Sequence, residues 1–151
     1  MHNDLNSLSL AQLHARYRQL PTVAPTARVG RWRAAFVGPG WLRLSAGPSV
    51  ALSGLPGWYG KRFSTPEAAV NLMGSGAGLR EALPMQCSEQ ASWLDGQPCA
   101  ALSYGSATRL PWRWVRDELR QLDEQRCLCL TFVDLPLLRR IGFPFVLVRE
   151  Q

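Results

Sequence analysis

The segment Gly54–Phe63 is the part of the sequence best suited to holding a ligand. It combines three glycines and a proline with the side chains of Trp58, Tyr59, Lys61, Arg62 and Phe63. Aromatic rings supply apolar contact area, and the two cations supply hydrogen-bond donors for an acidic group. Alternate residues of a strand face opposite sides, so only one of Lys61 and Arg62 can point inward. An inward cation must pair with a protein carboxylate, for which Asp117 and Glu118 are the candidates, or meet an acidic ligand.

The second half of the chain adds four aromatic candidates for ligand contact: Trp93, Tyr104, Trp112 and Trp114. Trp112 and Trp114 flank Arg113, and on a strand this spacing places both rings on one face. Such a pair can line a pocket or form an exposed interaction surface. Both uses stay open at this stage.

No catalytic constellation is recognisable in the sequence. The chain has only two histidines, and its 11 acidic residues show no spacing that brings two carboxylates together. Neither a Ser-His-Asp nor a Cys-His arrangement is supported. An enzyme that works by shape, such as a cyclase or isomerase with Tyr and Asp or Glu as acid and base, stays open.

The four cysteines are Cys87, Cys99, Cys127 and Cys129. Cys127 and Cys129 form a CxC pair without a matching CxxC or His pair, so we expect no metal site, and no cofactor is indicated. On a strand these two side chains point the same way, into the core. A Cys87–Cys99 bridge across a hairpin is geometrically possible, but without an export signal we predict free thiols.

Length and composition predict a single domain over residues 1–151. The pattern of apolar residues divides it into an N-terminal helical segment (1–27) and a β-barrel (28–151). No stretch approaches the roughly 20 apolar residues of a membrane span, so none is expected. The N-terminus lacks the basic and apolar regions of a secretory signal, which predicts a cytoplasmic protein.

The net charge is +6, and Lys61 is the only lysine. An arginine excess can signal an acidic ligand, since guanidinium groups bind carboxylates and phosphates, or it can reflect genomic composition. The arginines are spread along the chain and no zinc-finger, basic-zipper or RRM signature is present, so nucleic acid is not an expected partner. A small hydrophobic or acidic ligand is expected, and a protein partner stays open.

Hydrophobic periodicity predicts a helix over residues 9–20 and a series of strands after it. Residues 41–53 are read as two short pieces joined at Gly47-Pro48, and Thr65 with Pro66 predicts a short helix up to residue 73. Residues 115–122 fit a strand or, by propensity, a helix. The predicted strands cover residues 29–37, 57–63, 83–94, 97–104, a segment opening at Trp112, 127–133 and 143–149. Short strands separated by turns indicate a mainly β, antiparallel barrel or sandwich.

The segments Gly30-Arg-Trp32 and Gly57-Trp-Tyr-Gly-Lys-Arg-Phe63 carry a family resemblance. The first resembles the Gly-x-Trp start of lipocalins, and both together resemble the bacterial GXWXG family of uncharacterised domains over about residues 28–149. Ala34 stands where that family has its second glycine. The resemblance implies a lipocalin-like up-and-down barrel that can hold a small hydrophobic molecule, with the N-terminal helix closing one end. It also implies that Arg149 or Arg140 packs on Trp32.

Three functions follow from this sequence. The first is a lipocalin-like binding protein for a small hydrophobic, anionic molecule in the barrel interior. The second is a cavity enzyme of the cyclase or isomerase type, which requires a carboxylate or tyrosine with a perturbed pKa in its pocket. The third is a protein-interaction module that exposes Trp112 and Trp114.

Overall fold

Eight strands form one closed antiparallel barrel, in which each strand pairs with the next and β8 pairs with β1. The computed structural model describes residues 3–150, so residues 1, 2 and 151 of the predicted domain lie outside it. The strands are β1 (Gly30–Phe36), β2 (Trp58–Thr65), β3 (Ala68–Met73), β4 (Arg80–Ala91), β5 (Pro98–Ser103), β6 (Val115–Gln121), β7 (Arg126–Val133) and β8 (Phe143–Arg149). The predicted mainly β, antiparallel barrel is confirmed.

The helices of the described residues are short. They are α1 (Asn3–Asn6), α2 (Leu10–Arg18), α3 (Pro25–Arg28) and α4 (Gly40–Leu52), with 3-10 turns at Gly76–Gly78, Trp112–Trp114 and Leu138–Arg140. The helix predicted at 9–20 is α2, and a capping box starts it: the Ser9 hydroxyl accepts the Gln12 N–H, and the Gln12 side chain accepts the Ser9 N–H. Between residues 3 and 150, no helix has both the length and the apolar character needed to cross a bilayer.

Helix α2 packs against the outer wall of the barrel. Its Leu13 and Tyr17 are fully buried against Leu128 and Leu130 of β7, whose neighbour Cys129 faces the barrel interior. Both faces of β7 are apolar, so its outer face needs a cover, and α2 provides it. The expectation that the N-terminal helix closes one end of the barrel is therefore wrong.

The internal helix lies at a different place from the predicted one. Residues 40–52 form the single helix α4 although Gly47 and Pro48 lie inside it. Pro48 removes only one backbone hydrogen bond, that to the carbonyl of Leu44, and Leu44 lies on the exposed side of the helix. The prediction of two pieces joined by a turn at this point is wrong.

The segment predicted as a short helix after Thr65 is strand β3. Pro66 and Glu67 make the turn, and β3 then pairs with β2 on one side and β4 on the other. Two ladders of backbone hydrogen bonds outweigh the helix-start signals of a six-residue segment. The same reason makes residues 115–121 a strand, and the two tryptophans before it lie in a 3-10 turn.

Trp32 fills the end of the barrel interior where β1 begins. Its indole N–H donates to the carbonyl of Arg28 (2.8 Å), and the Arg149 guanidinium lies 4.2 Å from the ring centroid. Arg149 is therefore the arginine that packs on Trp32, whereas Arg140 is exposed in a 3-10 turn.

All four cysteines are free, as predicted, and all four are buried. Cys127 and Cys129 both belong to the interior cluster. Cys87 pairs with inward-facing Leu102, whereas Cys99 pairs with Gln90 on the opposite face of the β4–β5 ladder. Side chains on opposite faces of a sheet cannot form a bridge, which removes the Cys87–Cys99 disulfide.

Candidate functional site

Helix α4 covers one end of the barrel, the end at which β1, β3, β5 and β7 finish; we call this end the mouth. Two side chains of the β5–β6 connection fix the chain just after α4. The indole N–H of Trp112 donates to the Ser53 carbonyl (2.7 Å), and the Arg109 guanidinium donates to the Gly54 carbonyl (3.3 Å). The helix is thus held over the mouth at its C-terminal end.

Two adjoining chambers lie beneath α4. The outer chamber, about 290 Å³, lies between α4 and the rim of the barrel, and the inner chamber, about 60 Å³, lies inside the barrel. The residues common to both are Phe36, Val50, Trp112, Val115, Thr131 and Phe145. Ligand pockets have volumes of roughly 300–1,000 Å³, so this cavity suits a small ligand.

The walls of the outer chamber are mostly apolar. Leu42, Ala46 and Val50 line it from α4. Ser45 and Ser49 also line it, but their hydroxyls donate to the carbonyls of Trp41 and Ser45 one turn earlier, at 2.8 and 2.7 Å. The serines therefore direct their protons to the helix backbone and not to the chamber.

The floor of the inner chamber is polar, and the strand registers explain why. Lys61 on β2 lies directly opposite Asn71 on β3, and Asp117 on β6 lies directly opposite Thr131 on β7. Side chains at such cross-strand positions share one face, which here is the barrel interior. The two pairs meet across the barrel, and Lys61 Nζ lies 3.0 Å from Asp117 Oδ2.

The polar groups of the floor mostly satisfy one another. Lys61 Nζ also donates to Asn71 Oδ1 (3.0 Å), and Thr131 donates to the second oxygen of Asp117 (2.7 Å). Asn71 donates to the Tyr104 hydroxyl (2.8 Å). Among the described hydrogen bonds, none takes the proton of Tyr104, so this hydroxyl can donate to a ligand.

The charge states of the floor follow from burial and pairing. Burial alone would lower the pKa of Lys61, but the neighbouring Asp117 carboxylate outweighs it, and the pKa lies above its usual value of 10.5. Burial raises the pKa of Tyr104, with the Lys61 charge acting in the opposite direction. At neutral pH the floor thus contains a closed ion pair and a neutral phenol.

Four of the nine candidate residues line the cavity, namely Trp58, Lys61, Tyr104 and Trp112. The Trp58 indole N–H donates to Asn71 (3.1 Å), and its ring packs edge-on against Phe145. The Tyr104 and Trp112 rings pack at 5.6 Å between centroids. Of the two neighbouring cations, Lys61 points inward and pairs with Asp117, one of the two predicted partners.

The other five candidates lie outside the cavity lining. Tyr59 and Arg62 face outward and bind Glu150 and Glu81. Arg62 alternates with the inward residues Lys61 and Phe63. Tyr59 faces outward because the strand is irregular between Trp58 and Gly60, which changes the alternation there. Phe63 is buried in the interior core without lining either chamber. Trp93 and Trp114 lie in connections, and each ring lies against an arginine.

Trp93 belongs to a network on the outer wall that is centred on the buried Glu118. Its ring lies between the guanidinium groups of Arg116 and Arg139, at 4.9 and 4.1 Å, and its backbone N–H donates to Glu118 (2.7 Å). Glu118 is fully buried and also accepts the hydroxyl proton of Tyr17 on α2. Glu118 is therefore not a partner of Lys61, and it joins α2 to the barrel.

Sequence reasoning missed the residues that complete the cavity. Asn71 was assigned to a helix, and Thr131 carried no signal of its own because its role depends on its position opposite Asp117. The lining residues of α4 were hidden by the prediction of a break at Gly47-Pro48. The spacing of Leu42, Ala46 and Val50, each four residues apart, is the helical signal that could have revealed them.

Within residues 3–150, no three His, Cys, Asp or Glu side chains are grouped so that they could hold a metal ion.

Comparisons with known proteins support the fold. No protein-family model matches the chain, and no curated protein matches its sequence. A solved structure, described as a protein from Thermomonospora curvata, is similar over 99% of this chain and 93% of its own, with a TM-score of 0.73 and 21% sequence identity. A likeness at this identity concerns the fold alone, and a barrel of this kind is compatible with small-molecule binding.

Proposed function

We propose that this chain is a lipocalin-like binding protein that holds a small hydrophobic molecule at the mouth of its barrel. The ligand would lie in the outer chamber under α4 and extend a polar group toward the inner chamber. The observation that carries this proposal is the apolar cavity of about 290 Å³, which continues into a polar floor. Apolar walls with few polar groups at one end are typical of small-molecule sites.

The floor favours a neutral polar group over the anionic group expected from the sequence. The Lys61 ammonium is already paired with Asp117, and both oxygens of Asp117 are occupied. A ligand carboxylate would have to displace Asp117 or be buried without a cation of its own, which is costly. A carbonyl or hydroxyl oxygen needs only the free proton of Tyr104.

A cavity enzyme is the second candidate, and Tyr104 is the observation that favours it. A neutral tyrosine at the end of an apolar cavity can donate a hydrogen bond to an oxygen that gains charge during a reaction. Asp117 would be the base, but it would first have to leave Lys61 and Thr131. Because of this requirement, we favour the binding function over the enzymatic one.

The third candidate function, a protein-interaction module, requires that Trp112 and Trp114 are both exposed. Only 7% of Trp112 is exposed, and its ring lines both chambers, so Trp112 and Trp114 do not form a joint surface.

We also propose that the chain is related to the GXWXG family and that it lies in the cytoplasm. The two motif segments lie side by side on β1 and β2, where Trp32 pairs with Lys61. Four free, buried thiols fit a reducing compartment.

Native mass spectrometry of the protein purified from its own host tests the binding function. We expect an additional small mass that disappears on denaturation. Ala46→Trp should fill the outer chamber and abolish this mass. Leu44→Trp adds a ring to the exposed side of α4, where 80% of Leu44 is accessible, and should retain it. The proposal would be contradicted if the wild-type protein carried no additional mass, or if both variants retained that mass equally.

A further inference from the structure

Exposed apolar side chains are concentrated at the mouth. Six large apolar residues of the described chain are exposed, and five of them lie in connections at the mouth: Trp41, Leu44 and Leu52 on α4, Leu110, and Leu137. Leu44 and Leu137 are each 80% exposed, and Leu52 is 90% exposed. Scattered exposed apolar residues are ordinary, but their concentration at one end of a molecule indicates a contact surface.

The charges of the connections show the same asymmetry. The mouth connections, residues 37–57, 74–79, 104–114 and 134–142, contain five arginines and one aspartate. These arginines, all exposed, are Arg43, Arg109, Arg113, Arg139 and Arg140. Arg139 pairs with Asp134 and lies against Trp93 on the outer wall, so the other four are the cations available to a partner. The connections at the other end, residues 66–67, 92–97 and 122–125, contain four carboxylates and no cation. Among the connections between strands, those at the mouth are thus complementary to a negatively charged surface, and those at the other end are not.

We infer that the mouth docks on an anionic phospholipid bilayer. The exposed leucines and Trp41 would enter the headgroup region, and the arginines around them would bind lipid phosphates. A bilayer suits this arrangement because the apolar residues belong to three separate connections at the same end of the barrel. A flat surface can meet all three at once.

Docking would also explain how a water-insoluble ligand reaches the cavity. Trp41 is 65% exposed, and it also lines the outer chamber. A bilayer in contact with Trp41 therefore lies next to the chamber, and a lipid-soluble molecule could pass between them without crossing water. This last step rests on the proposed binding function, whereas the docking itself does not.

Vesicle flotation tests the inference. The probes are vesicles of phosphatidylcholine alone and of phosphatidylcholine with about a third phosphatidylglycerol. Wild-type protein should float with the anionic vesicles, should float much less with the neutral ones, and should be released by high salt. Ala46→Trp should still float, because it fills the cavity without changing the surface. Failure of docking and failure of ligand binding are thereby distinguished.

Two pairs of variants locate the surface. Replacing Arg113 and Arg140 with Gln should weaken binding to anionic vesicles about 25-fold, roughly fivefold for each charge. The matched control replaces Arg16 and Arg18 on α2, which removes the same charge away from the mouth and should change binding little. Replacing Leu44 and Leu137 with Ser should weaken it about tenfold or more.

Three outcomes would overturn the inference. One is wild-type protein that does not float with anionic vesicles. Another is an equal loss of binding in the α2 control and in the mouth variant. The third is a dimer in sedimentation experiments that the double Ser variant dissociates, because the mouth would then be a surface for a second copy of this chain.

Discussion

Lys61 and Asp117 form the buried ion pair on which the floor of the cavity depends, and only 1% of the Lys61 side chain is exposed. Asp117→Asn keeps the shape of the side chain but leaves the ammonium unpaired. We expect a loss of about 3–5 kcal/mol in the free energy of unfolding, measured by urea denaturation. Adding Lys61→Met should recover most of the loss. A double variant as unstable as the single one would show that the charge is not the cause.

The buried thiols should be unreactive in the native protein. Burial raises the pKa of Cys127 and of Cys99, each to about 12, and raises that of Cys129 well above its usual value of 9.0. Because the thiolate is the reactive form, a thiol-specific reagent at mildly alkaline pH should label no cysteine until the chain is unfolded. All four should then react. Rapid labelling of native protein would contradict the burial described for these residues.

Gly60 allows strands β1 and β2 to approach closely. A Cβ atom at this position would overlap the carbonyl oxygen of Trp32, which belongs to the backbone and cannot rotate away. We expect Gly60→Ala to destabilise the protein by roughly 1–3 kcal/mol. Gly78→Ala is the control, because nothing lies within 4 Å of its added Cβ. Equal thermal stability of the two variants would refute this account of the β1–β2 pair.

The β4–β5 connection is tied to the outer wall by Asp95 and Arg120, which form two hydrogen bonds of 2.7 and 2.8 Å. The hydrogen bond from Arg120 holds the pKa of Asp95 below its usual value of 3.8. A carboxylate with a lowered folded-state pKa stabilises the native state above the unfolded-state pKa, and the contribution is lost as pH falls through the folded value.

Asp95→Asn should therefore reduce stability at neutral pH and lessen the further loss below about pH 3.8. The measurement is the urea midpoint as a function of pH for both proteins. The prediction fails if the two curves stay parallel down to the acid limit.

The elements that were predicted correctly are those that the local pattern of apolar residues determines. Strand β7 is a run of apolar residues from Cys127 to Val133 with Thr131 as its one polar member, and α2 has both its apolar spacing and its Ser9 cap. Strand β3 and helix α4 were mispredicted because neighbours decide them: β3 has a partner on each side, and α4 covers a cavity. A single sequence does not contain those partners.

In the site, too, some features follow from the local sequence and others depend on neighbouring strands. That one of Lys61 and Arg62 faces inward follows from strand alternation, and a carboxylate partner follows from the cost of a buried charge. Whether this partner is Asp117 or Glu118 depends on which face of β6 is turned into the barrel. In the structure, Asp117 faces the interior and Glu118 faces the outer wall. Asn71 and Thr131 depend on pairing register, which the sequence does not specify.

At the scale of the whole molecule, the two ends of the barrel differ in chemistry. One end has an apolar cavity, exposed leucines and an excess of arginine, and the other has acidic turns. An arginine excess can also indicate an acidic ligand. Because Lys61 is neutralised inside the barrel, we assign the positive charge of the mouth to its outer surface and a neutral polar group to the ligand.

We propose that the mouth cavity binds a small hydrophobic molecule whose neutral polar group lies at Tyr104. The most direct test is calorimetric titration with 1-octanol and with octanoate, which share a chain length and differ in charge. We expect one site, tighter binding of the alcohol, a weakening of about two- to tenfold in Tyr104→Phe, and no binding in Ala46→Trp. Binding of neither compound, or unchanged binding in Ala46→Trp, would contradict it.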